Sequence, residues 1–69
     1  MRTEEKKVRI EEYLHNLATC KDHDVEFLNG ATHGYIMGWG SDFTISNEDV
    51  CEYTKRRGEI YKKRKEGVI

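Results

Sequence analysis

Asp24-Val25-Glu26-Phe27-Leu28-Asn29-Gly30-Ala31-Thr32-His33-Gly34-Tyr35-Ile36-Met37-Gly38-Trp39-Gly40-Ser41-Asp42-Phe43-Thr44-Ile45, residues 24–45, is the stretch on which the fold turns. It contains Val25, Phe27, Tyr35, Ile36, Trp39, Phe43, Thr44 and Ile45, branched and aromatic residues that suit a pleated, half-buried surface. Asn29-Gly30 is a favoured pair for a two-residue hairpin turn, because both central positions take positive φ. The simplest assignment is a three-stranded antiparallel meander over about 24–28, 32–38 and 42–45, with Gly40-Ser41-Asp42 in the second turn.

In an extended segment successive side chains alternate, so Tyr35, Met37 and Trp39 take one face and Gly34, Ile36, Gly38 and Gly40 the other. The first set makes a core face. The second is nearly bare backbone around one isoleucine, where a solvated sheet face normally carries Thr, Lys or Glu. Glycines inside a strand mark a bulge or the close approach of a ligand or another backbone. Gly34, Ile36 and Gly38 are therefore the candidate sheet-face contact, with bulge and turn geometry as the plainer explanation. Their spacing does not follow a strand–loop–helix phosphate-binding pattern, which argues against a P-loop or dinucleotide site.

Helices flank this region on both sides. Thr3 with Glu4 and Glu5 is a helix start, and Ile10, Tyr13, Leu14, Leu17 and Ala18 line one apolar face as far as about Cys20. Glu11, Glu12, His15 and Asn16 turn outward. The second helix starts more distinctly: Ser46 caps the N–H of Asp49, the Asp49 carboxylate reaches back, and Ile45 with Val50 forms a hydrophobic staple. Gly58 interrupts its interior at a cost of about 1 kcal/mol relative to Ala, and Gly67 ends it. The expected fold is one α+β domain over residues 1–69, helix–three-stranded antiparallel meander–helix, with the helices on one sheet face.

A chain of 69 residues has a thin core and is expected to draw part of its stability from elsewhere, the usual supplements being disulfides, a metal or burial against a second subunit. Cys20 and Cys51 allow one disulfide at most, and no charged-apolar-small leader begins the chain, so reduced thiols and a cytoplasmic location are expected. No apolar run approaches the roughly 18 residues that span a bilayer, so no membrane partner is expected.

Charge is divided unevenly. Residues 55–69 carry seven basic residues against two acidic, and residues 1–54 carry five against eleven, balances of +5 and −6. Lys55, Arg56, Lys62, Lys63 and Lys65 are the candidate partner- or anion-binding residues, since sequence-independent phosphate binding requires little beyond such a stripe. A solvated helix face explains them equally, and a pI of about 6.3 argues against a dedicated DNA-binding domain. No helix-turn-helix, zinc-finger or RNA-binding motif accompanies them.

Cys20, His23, His33 and Cys51 supply two thiols and two imidazoles, but the second pair is 18 residues apart, without the short ligand spacing of zinc sites, and no metal or other cofactor is expected. His15 or His23 beside Asp22 and Asp24, or Cys20 as nucleophile, lacks the paired spacing of an acid–base or nucleophilic site. These observations point to a small non-enzymatic binding protein, regulatory or inhibitory, that docks stoichiometrically on a larger protein or on itself. The expected assembly is a homodimer or higher oligomer. The size, charge contrast and lack of motifs resemble phage and mobile-element accessory proteins as a class, with no residue carried over. The alternative is a binder of nucleic acid or an anionic nucleotide through the basic helix.

Overall fold

The computed structural model describes residues 3–40 and 45–67. They form three α-helices, α1 (Thr3–Thr19), α2 (Val25–Gly40) and α3 (Asn47–Glu66), with one 3-10 turn at Asp22–Asp24 between the first two. No strand occurs among the described residues. The α+β expectation is thus overturned: the described residues form a helical bundle, with no meander and no sheet among them for helices to cover.

The error lies in the period assigned to residues 25–40. Burial there falls on Val25, Thr32 and Ile36, with Leu28, Asn29 and Tyr35 half-buried between them, a stripe of helical period. Alternation would have buried Met37 and exposed Ile36, yet Met37 is 46% exposed and Ile36 only 1%. Strand propensity largely reflects fit to a half-buried surface, and two flanking helices offer this segment a better one. Asn29-Gly30 sits inside α2 and makes no turn, and the Asn29 side-chain oxygen accepts a hydrogen bond from Arg57 of α3. Ser41 to Thr44, on which the second turn and third strand were placed, lie outside the described residues.

The flanking helices form for the local reasons their sequences contain. In α1, Ile10, Leu14 and Leu17 are buried while Glu11, Glu12, His15 and Asn16 face outward. Ser46 caps α3 by accepting from the backbone N–H of Asp49 at 3.2 Å, and Glu48 and Asp49 place carboxylates at the positive end of the helix dipole. Gly67 ends the helix in the left-handed conformation at φ 75°, with its N–H directed at the carbonyls of Lys63 and Arg64. Asp49 is also drawn sideways, to the Lys7 ammonium of α1 at 2.9 Å.

Packing joins the helices around Ile10, Leu14, Ile36, Ile45 and Tyr53, with Tyr35, Val50 and Ile60 against them. Ile45 and Val50, the two staple positions, thus both reach the core. The rings of Tyr13 and Tyr35 meet at 4.4 Å between centroids, tilted by 35°. Among the fully buried side chains Thr32 is unusual, because its hydroxyl has no hydrogen-bond partner among the described residues. The bundle measures 34 × 19 × 15 Å, about the length of α3, which at 1.5 Å per residue extends about 30 Å. No helix among the described residues is long and apolar enough to cross a membrane.

Candidate functional site

The basic residues of α3 separate into two groups. Arg56 pairs through its two terminal guanidinium nitrogens with the Glu11 carboxylate of α1, and this pairing holds Glu11 below the ordinary carboxylate range. Arg57 donates to Asn29 of α2. Arg64, whose side chain is 4% exposed, donates to the carbonyls of Leu17 (3.0 Å) and Cys20 at the end of α1 and to Asp22 at 3.2 Å. Lys65 reaches Glu26 at 2.7 Å, and the Tyr61 hydroxyl donates to the same carboxylate at 2.8 Å. Those two hydrogen bonds, Lys65 first, push Glu26 down. Much of the charge contrast between the two parts of the chain is therefore satisfied inside one molecule, with basic α3 lying against acidic groups of the other elements.

Lys55, Lys62 and Lys63 form the second group. All three are exposed and have no ion pair among the described residues. They do not stand as a continuous cationic stripe, because Glu48, Glu52, Glu59 and Glu66 are exposed between and beside them. Of the five candidate anion-binding residues, the fold engages Arg56 and Lys65 in ion pairs and leaves Lys55, Lys62 and Lys63 on a face of mixed sign.

The candidate sheet-face contact is divided differently. Gly34 and Gly38 are exposed on α2, whereas Ile36 points into the core at 1% exposure. A helix advances about 100° per residue, so Gly34 and Gly38 share their face with Gly30 four residues earlier. Phe27 (74% exposed) and Met37 (46% exposed) lie on the same side. Phe27, Gly30 and Met37 are the additions to the expected set, legible once the helical period is used, since Gly30, Gly34 and Gly38 recur every fourth position. No Asp, Glu, Lys or Arg occurs from Phe27 to Ser41 in a chain that is 36% charged.

No steric contact among the described residues requires glycine at these three positions. A Cβ built at Gly30, Gly34 or Gly38 meets no atom within 4 Å, and none of the three has positive φ. Each lowers helix stability by about 0.8–1.0 kcal/mol relative to Ala, so together they cost about 2–3 kcal/mol with no internal packing benefit. The result is a smooth, uncharged helix surface flanked by two large apolar side chains.

Other chemistry-bearing residues do not converge. Cys20 and Cys51 are free thiols at opposite ends of the elements that carry them, His23 is in the 3-10 turn and His33 is exposed on α2. No three His, Cys, Asp or Glu residues gather as a metal site among the described residues. A hollow of about 480 Å³ over α1 is lined by Glu4, Glu5, Val8, Arg9 and Glu12, one side of a single helix. A notch of about 170 Å³ lies among Asp22, Val25, Glu26, Arg64 and Lys65, whose charges already pair with one another. No protein-family model, curated protein or solved structure matches the chain.

Proposed function

We propose that this protein is a small non-enzymatic docking protein, regulatory or inhibitory in its effect, that acts by stoichiometric binding through the outward face of α2 in a reducing, cytoplasmic setting. The observation that carries the reading is the uncharged surface of Phe27, Gly30, Gly34, Met37 and Gly38 on a protein whose other helices expose many charges. Exposed apolar patches rimmed by polar residues mark interaction sites, and helix-face glycines allow a partner backbone to approach closely. Anion binding by α3 has less support, because glutamates interrupt its three unpaired lysines and like charges repel a phosphate backbone.

Site-directed photo-crosslinking in cells that express the protein tests the proposal. A crosslinking amino acid at position 27 is expected to give one discrete protein adduct, and the same group at position 62 on α3 to give none. Adducts to nucleic acid from position 62, with none from position 27, would transfer the function to the lysine face.

A further inference from the structure

We infer that the occupant of the α2 face is a second copy of this chain, the two α2 helices packing antiparallel and crossing at Gly34. This rests on the docking reading and names its partner. A twofold contact requires a surface that is complementary to itself when reversed. Gly30 and Gly38 lie four residues to either side of Gly34, so the glycine row is unchanged by reversal about its centre.

With Gly34 facing its own copy, Met37 comes level, to within one residue, with Gly30 of the second helix. Phe27 falls opposite position 41, past the last residue of the second α2, and lies outside this seam. Met37, the large exposed side chain within the seam, thus meets the bare backbone around Gly30. Small residues at a helix crossing let the backbones approach closely and bring Cα–H groups against carbonyl oxygens.

Charge points to the same occupant. A partner presenting ionised groups here would bury them against a surface that has none to offer, whereas a second α2 brings no charge from Phe27 onward. The paired arrangement also leaves the charged outer faces of α1 and α3 in water. A single helix seam buries little area, placing the contact among the smaller, concentration-dependent interfaces.

Analytical ultracentrifugation from about 10 μM to about 1 mM tests this, a range suited to a small interface. The expected mass rises from 8.1 kDa towards twice that value. Gly34→Arg is expected to stay monomeric with an unchanged helical signal, since Gly34 is exposed and a Cβ there meets nothing within 4 Å in the monomer.

Gly34→Ala separates the two effects of the residue: it should raise the thermal midpoint of the monomer yet weaken dimerisation about tenfold, because an added methyl overpacks the seam. Gly58→Ala on α3 should raise the midpoint and leave dimerisation alone. A monomer throughout the range overturns the second copy, and a foreign adduct from position 27 then leaves the docking reading standing. A dimer indifferent to Gly34→Arg, with no adduct from position 27, overturns both.

Discussion

Truncating Arg64 tests the role of α3 as the fastener of the bundle. Its guanidinium closes the last turn of α1 from outside, donating to the carbonyls of Leu17 and Cys20. Among the described residues neither receives a backbone N–H at the helix end, and the Leu17 carbonyl otherwise accepts only from the Cys20 thiol, at 3.6 Å. Arg64→Ala removes both bonds and leaves those acceptors to find water in a crowded corner, where Leu17 is fully buried. A hydrogen bond to a charged group contributes about 1.5–3 kcal/mol, so two are worth about 3–6 kcal/mol before rehydration of the more accessible Cys20 carbonyl reduces the loss. The contact with the fully exposed Asp22 adds at most about 1 kcal/mol. A loss of about 3 kcal/mol is the expected result.

That is a large share of the roughly 3–10 kcal/mol available to a domain this size, and it corresponds to a fall in Tm of about 12–24 °C. Urea and thermal unfolding followed by far-UV circular dichroism would measure it. Arg64→Lys should recover less than half, because one ammonium cannot reproduce a planar fork serving several acceptors. A change below about 0.5 kcal/mol for Arg64→Ala, or full stability for Arg64→Lys, would refute the fastening role, since only small effects are expected of surface residues outside such features.

Ser46→Ala should lower stability by about 0.5–2 kcal/mol through loss of the α3 cap, and an unchanged urea midpoint would remove the cap from Ser46. Thr32→Val replaces a buried, unpartnered hydroxyl with a methyl of the same shape and should stabilise by about 1 kcal/mol, whereas a destabilised variant would show that the hydroxyl is bonded. In acid, stability should decline: hydrogen bonds from Arg56, Lys65 and Lys7 hold Glu11, Glu26 and Asp49 below their ordinary values of 4.5, 4.5 and 3.8. Their contribution is present above those values and lost as pH falls through the lower folded ones. In base the sign reverses, because hydrogen bonds to Asp49 and Glu26 raise Lys7 and Lys65 above 10.5, and the bond to Glu26 raises Tyr61 above 10.0, so that stability is lost as pH rises through the folded values. A urea midpoint that stays flat from neutrality to pH 3 would contradict the ion-pair geometry.

The sequence by itself determined the two outer helices. Ile10, Leu14 and Leu17 repeat at helical spacing, Ser46 stands three residues before the N–H it caps, and Gly67 occupies the position that needs positive φ. Each of these signals is complete within a few consecutive residues. The middle helix was not determined in that way, because Asn29-Gly30 and the branched and aromatic residues carry strong strand and turn preferences. Its buried stripe of Val25, Thr32 and Ile36 acquires meaning only when α1 and α3 are present to cover it.

The candidate site divides along the same line. The sequence singled out Gly34 and Gly38 as unusual, but extended geometry joined them to Ile36 and separated them from Phe27. Helical geometry sends Ile36 inward and brings Phe27, Gly30 and Met37 to the glycines. The number of cations in α3 was likewise plain, whereas their division into tied and unpaired groups depends on partners 28 to 47 residues away for Arg56, Arg57, Arg64 and Lys65. Caps and periodic faces can be read locally because their partners are neighbours in the chain. Which arginine fastens the bundle and which lysine faces water was decided only by the tertiary structure, because those partners become neighbours only when the helices pack.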